Sequence, residues 1–149
     1  MIERVLRVSG IGPEALLLSC DMLASLPSRE VGPLPIVCMT GREVRAARRY
    51  HGIPLVELLQ HCGIGQVPRP RLKQSIVVCL AEDGYRALFT WHELFNSRIG
   101  EGALLVPEPD GAWGLVSAED RRGGPRSLHR LQAIELCEFP APSDARAHP

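Results

Sequence analysis

At 149 residues, with 17 Lys+Arg against 17 Asp+Glu, the chain carries no formal net charge, which removes any general pull toward nucleic acid, membrane surfaces or acidic substrates and leaves electrostatics to local clusters. A domain of this length buries about two-thirds of its unfolded surface without staples. The 5 cysteines, at positions 20, 38, 62, 79 and 137, form no close CxxC pair and cannot all pair with one another, the usage expected of free thiols in a reducing compartment.

Glu3 and Arg4 interrupt the apolar residues at the N-terminus, and no later apolar run approaches a membrane-spanning length, so the expectation is a soluble cytoplasmic protein, or a periplasmic one if an export signal has been trimmed. Val5 and Val8, ahead of the turn Gly10-Ile11-Gly12-Pro13, predict an opening strand, and Ala15 to Leu18 a brief extended piece. Ser19 can cap a short helix through about Leu26, which Pro27 stops. Arg29 to Cys38 reads as extended, and its prolines confine it to a sheet edge or an irregular strand.

The clearest helix begins at Pro54 and carries Leu55, Leu58, Leu59 and Cys62 on one face before Gly63 ends it. Gln74 to Ala81 is rich in strand formers, Glu82-Asp83-Gly84 turns the chain and Tyr85 to Phe89 returns it, a hairpin. Thr90 and Glu93 have capping-box spacing and start a helix over Trp91 to Asn96. Ala103 to Val106 and Trp113 to Val116 make a second hairpin about Asp110-Gly111, and Leu131 to Phe139 is the closing strand. Residues 1–139 therefore read as one α+β domain, strand-dominated with two or three short helices, followed by a flexible tail over 140–149.

Cys38 ends the apolar run Leu34-Pro35-Ile36-Val37 and opens into Met39-Thr40-Gly41-Arg42. A thiol at such a strand end is either a small core residue or a soft metal ligand beside an anion-binding guanidinium. Arg42, Arg45, Arg48 and Arg49 follow closely; they either hold a phosphate or oxyanion through bidentate hydrogen bonds or line a solvent-facing strand. A third reading makes Arg42 to Arg49 an RNA-contacting surface with Tyr50 as stacking platform. The loop Arg121-Arg122-Gly123-Gly124-Pro125-Arg126-Ser127 could cradle a phosphate with its amides, or be a plain turn with solvated arginines, and it lacks the ending of a Walker loop. The histidines at 51, 61, 92, 129 and 148 form no zinc-ligand pair, and His61 and His92, on predicted helices, read as structural. No GxSxG elbow is present.

Taken in order, several pieces resemble one family. They are Ser9-Gly10, Leu16-Leu17-Leu18 with Met22-Leu23-Ala24-Ser25-Leu26-Pro27, Cys38, His51-Gly52-Ile53-Pro54-Leu55-Val56-Glu57-Leu58-Leu59, and Ala81-Glu82-Asp83-Gly84-Tyr85. Ala103 to Val106, Leu115-Val116-Ser117, Arg122-Gly123-Gly124 and Leu131 to Leu136 complete the series. Together they resemble the molybdopterin-binding domain of the sulfite oxidase family over about residues 3–138.

That resemblance implies the α+β fold of the sulfite oxidase middle, catalytic domain, and a molybdopterin whose molybdenum takes one protein cysteine as ligand, here Cys38. It further implies Arg42 near the metal or substrate, and Arg45, Arg122, Gly123, Gly124, Arg126 and Ser127 as contacts to the cofactor phosphate or oxyanion. The substrate would be a small oxyanion or sulfoxide, with an electron-transfer partner subunit and no nucleic acid or membrane. The chain departs from the family in reading Cys-Met-Thr-Gly-Arg where Cys-x-Gly-Asn is common, and His129-Arg130 in place of Lys-Trp. The family's N-terminal cofactor contacts and its dimerisation domain have no counterpart here. The competing expectation is a ligand- or protein-binding module that keeps the fold without the metal.

Overall fold

The computed structural model describes residues 4–139, and the predicted tail at 140–149 lies outside the described residues. β1 (Val5–Ser9) and β2 (Leu16–Ser19) open the chain, with Leu6, Val8 and Leu18 turned into the core. Ser19 then caps α1 (Cys20–Ala24), its hydroxyl accepting from the Met22 amide at 3.2 Å. β3 (Arg29–Val37) and β4 (Glu43–Pro54) form a long antiparallel hairpin whose register shifts near the prolines of β3. That strand lies at a sheet edge, where a residue lacking its amide proton is tolerated.

Pro54 leads into α2 (Leu55–His61), which buries Leu55, Leu58 and Leu59 and is followed by Gly63 at φ +93°. A 3-10 turn over Ile64–Gln66 and the single-turn α3 (Arg69–Leu72) reach the hairpin of β5 (Ser75–Ala81) and β6 (Arg86–Thr90). Both halves of the capping box form at α4 (Trp91–Asn96): Thr90 Oγ1 accepts from the Glu93 amide at 3.0 Å, and Glu93 Oε1 accepts from the Thr90 amide at 2.8 Å. The short α5 (Ile99–Gly102) leads into β7 (Ala103–Pro107) and β8 (Trp113–Ser117), and β9 (Leu131–Glu138) closes the fold. No helix among the described residues is long and apolar enough to cross a membrane.

Two sheets result, ordered β2-β1-β9-β5-β6 and β3-β4-β7-β8. All strand neighbours run antiparallel except β1 and β9, which are parallel. The mixed, strand-dominated α+β architecture expected from the sequence is the one observed, with α3 and α5 as additional single turns.

The main core lies between the sheets and takes Val77, Phe89 and Ile134 from the first, Leu105 and Leu115 from the second, and the leucines of α2. Alternation along β7 and β8 sends Leu104, Val106 and Val116 to the opposite face, where Ile36 and Tyr50 of the β3–β4 hairpin cover them in a smaller core. The hairpin therefore folds across β7 and β8, and this curl creates the cleft described below.

A Cβ at Gly52 would fall inside contact distance of the Leu105 carbonyl oxygen and 2.9 Å from Val106 Cγ1, so glycine is what lets β4 close onto β7. Gly52→Ala is expected to cost about 3 kcal/mol and to lower the melting midpoint by roughly 6–12 °C. Gly65→Ala, which meets open space, should stay within about 0.5 kcal/mol. Calorimetry of the two variants checks the contrast.

Candidate functional site

Cys38 lies at the tip of the β3–β4 hairpin rather than in either core. The Gly41 amide donates to the Cys38 carbonyl and the Cys38 amide to the Arg42 carbonyl, both at 2.9 Å, and Gly41 takes φ +89°. A left-handed residue at this point of a tight turn favours glycine. The turn brings the Cys38 sulfur to 2.9 Å from Thr40 Oγ1 and leaves it partly exposed.

That geometry acts on the thiol. The Thr40 hydroxyl is the largest influence favouring the thiolate, and the Thr40 and Arg42 amides and the Arg42 guanidinium add to it against a smaller opposing effect of burial; together they hold Cys38 at about 7. Burial pushes Cys79 the other way, up to about 12, and raises Cys62 and Cys137. Cys38 is thus the thiol of lowered pKa.

The glycine-rich loop presses against this turn. A Cβ at Gly124 would sit 2.7 Å from the Val37 carbonyl oxygen and 3.0 Å from Cys38 Cα, and one at Gly123 would sit 3.2 Å from the Ser117 carbonyl oxygen. Arg122 wraps the tip from outside, its guanidinium against Gly41 and donating to the Met39 carbonyl. Arg45 Nη2 donates to Ser127 Oγ at 2.5 Å. Cys38, Arg45, Arg122, Gly123, Gly124 and Ser127 therefore converge on one region of the surface.

The remaining arginines diverge. Arg126 turns inward, with its guanidinium 2.5 Å from Asp120 Oδ1, 3.1 Å from Glu93 Oε2 and 4.3 Å from the centre of the Phe89 ring. Burial works against its charge, and the two carboxylates more than offset that, so its pKa is raised. Its placement is that of a structural residue, not of a donor presented to a bound phosphate. Arg49 reaches Glu30 at 3.5 Å and the Gly32 carbonyl at 3.2 Å, across the hairpin. Arg48 lies 4.6 Å over the Tyr50 ring. That ring is only 2% exposed, so the RNA-stacking role fails: a base has no open face of Tyr50 to stack on.

A groove of about 710 Å³ runs beside the hairpin, with Arg45 and Arg48 on one wall, Val106, Val116 and Leu128 on the other, and His129 at the rim. A hollow of about 250 Å³, touching Ile36, Arg45, Gly124, Ser127 and His129, extends it toward the Cys38 turn. On the other flank of the turn, Met39, Arg121 and Arg122 border a hollow of about 380 Å³.

His129, which stands where the resembled family commonly has Lys, holds its Nδ1 2.5 Å from Glu108 Oε2. The next residue, Arg130, stands at φ +55°, and its amide donates to Glu108 Oε1 at 2.7 Å. The left-handed kink sets His129 at the groove while the Arg130 guanidinium faces Glu82 and Asp110 on the far side. Thr40 and Glu108 were not singled out by sequence reasoning. Thr40 had a local signal, a hydroxyl two residues after a cysteine at a strand end and just before a glycine; Glu108 had none. Among the described residues, no group of three His, Cys, Asp or Glu side chains converges as a metal cage.

Fold and site together define an α+β domain with an ionisable thiol on a turn packed against the Gly123-Gly124 loop; Gly124 and Ser127 border the hollow that adjoins the groove of Arg45 and Arg48, while Cys38 itself lines none of these hollows. No family model matches the chain, and no curated protein matches it. Among solved structures it is similar to the sulfane dehydrogenase SoxCD from Paracoccus pantotrophus, at 13% identity and a TM-score of 0.59. That likeness covers 95% of this chain and 40% of the other, and at such identity it establishes the fold.

Two results follow from the geometry. Alkylation of Cys38 by iodoacetamide, followed by peptide mass spectrometry, should rise with pH through a midpoint near 7, because only the thiolate reacts; Thr40→Val should move the midpoint upward. Arg126→Ala should cost about 3 kcal/mol, since it leaves the largely buried Asp120 unpaired, whereas Arg122→Ala should cost under about 1 kcal/mol. Denaturant melts distinguish the two arginines.

Proposed function

We propose that the chain is a molybdopterin-binding domain of the sulfite oxidase type, acting in oxidoreduction of a small oxyanion or sulfoxide, with Cys38 as protein ligand to molybdenum. One observation carries this reading: the thiol held at about 7 stands on a turn packed against the Gly123-Gly124 loop, beside the cationic groove. The similarity to a sulfane dehydrogenase structure supports the fold half of the reading.

The donor set fits the group in chemical terms. A thiolate is a strong electron donor to a high-valent metal, and a thiol near 7 is about half ionised at neutral pH without a strong base beside it. Arg45, Ser127 and the amides of Gly123 and Gly124 would hold the cofactor phosphate, and the groove beside them would accept its flat ring system. Arg42, beside Cys38, and Arg122, at the hairpin tip, would favour an anionic substrate near the metal.

When bound, the metal and pterin would supply the oxygen-atom and electron transfer. The chain's own contribution is to hold the thiolate and to orient anions. A separate electron-transfer subunit would accept the electrons.

The competing reading, a ligand-binding module without the metal, draws on the commitment of Arg126 to Asp120 and Glu93 and of Arg122 to the Met39 carbonyl. Protein produced in a host that makes molybdopterin separates the two. The first reading expects molybdenum near one equivalent per chain and a fluorescent pterin on oxidative release. Cys38→Ser should lose most of the metal, and Arg45→Ala should lose pterin and metal together. Folded protein free of both metal and pterin would exclude it in favour of the module.

A further inference from the structure

β5 sends Val77, Cys79 and Ala81 into the main core and turns Ile76, Val78 and Leu80 to the opposite face of the first sheet. An antiparallel sheet with one side in water normally alternates apolar with polar residues, and a strand apolar on both sides normally has both sides covered. Here Ile76, Val78 and Leu80 are only half-buried, and among the described residues no second layer packs over them. Leu88 of β6 is 48% exposed and Leu17 of β2 is 60% exposed, so aliphatic side chains reach both edges of the same face.

The charges on this face carry both signs. Arg7 pairs in register with Ala133, Ala133 with Leu80, and Leu80 with Arg86, which puts the two arginines in one row at opposite sides of the sheet. Glu135 stands in the next row, opposite Val78. Among the described residues none of the three forms a salt bridge. A surface holding an aliphatic strip with unpaired charges of both signs matches itself under a two-fold rotation, where an arginine of one copy can meet the carboxylate of the other.

We infer that the outer face of the five-stranded sheet docks a second copy of this chain, through Ile76, Val78, Leu80 and Leu88 with Arg7 and Arg86 set against Glu135. This goes beyond the proposed function and does not depend on it. Strands about 4.8 Å apart, rising about 3.4 Å per residue, make the face roughly 24 Å by 20 Å, on the order of 500 Å². That is below the ~800 Å² per partner of a standard stable interface, so the dimer is weak, concentration-dependent and reversible.

Sedimentation velocity of the full chain from about 1 to 200 µM reads this directly. A reversible monomer–dimer equilibrium is expected. Leu88→Asp, on an exposed edge-strand position, should weaken it at least about tenfold while circular dichroism melts remain native. Glu135→Arg should weaken it similarly, and mixing that variant with the Arg7→Glu, Arg86→Glu double variant should restore association. A monomer at every concentration would overturn the inference, leaving the face to another segment or a partner protein. A dimer indifferent to both Leu88→Asp and Glu135→Arg would overturn it too, since the contact would lie elsewhere.

Discussion

The approach of Gly124 to the backbone of Val37 and Cys38 is the contact on which the candidate site depends. Only a residue without a Cβ can sit there, because that atom would come within 2.7 Å of a carbonyl oxygen and 3.0 Å of the neighbouring Cα. Far apart in sequence, the thiol turn and the basic loop become one surface through it. The loop is fixed from a second side by Arg126, two residues on in the same 3-10 turn, whose guanidinium is anchored between Asp120, Glu93 and Phe89. Arg126 is therefore a positioning residue: buried among its partners, it determines where Gly124 and Ser127 can lie.

A chain of zero formal charge still produces a cationic site, because its charges are segregated. Arg45, Arg48 and His129 border the groove and Arg122 the hairpin tip, while Glu82 and Asp110 are drawn to Arg4 and Arg130 on the far side. Arg130, in the left-handed region, divides the two. The carboxylate nearest the groove, Glu108, is already held by His129 and the Arg130 amide, which leaves the guanidiniums to dominate there. Cys38 is held at about 7, whereas burial raises Cys62, Cys79 and Cys137.

Elements defined by short-range chemistry were legible in the sequence. The turn Glu82-Asp83-Gly84, the Thr90 and Glu93 box, and the leucine spacing between Pro54 and Gly63 each act within a few residues, and each appears where expected. Elements decided by packing were not. α5 contains Gly100 and Gly102, poor helix formers, and is held by an approach to Leu94 so close that Gly100 has no room for a side chain. The parallel pairing of β1 with β9 joins the two ends of the chain, and nothing local announces it. Likewise, all the candidate arginines look alike in sequence, and distant partners decide which face the groove: Ser127 for Arg45, Asp120 and Glu93 for Arg126.

The sulfur of Cys38 is the atom through which fold, charge and proposed chemistry meet. X-ray absorption at the molybdenum edge, on protein purified from a molybdopterin-producing host, examines that atom directly. If Cys38 ligates the metal, the native protein shows one more sulfur scatterer than the residual metal-loaded fraction of the Cys38→Ser protein. Identical spectra from the two, or the absence of a molybdenum edge in well-folded native protein, would contradict the assignment.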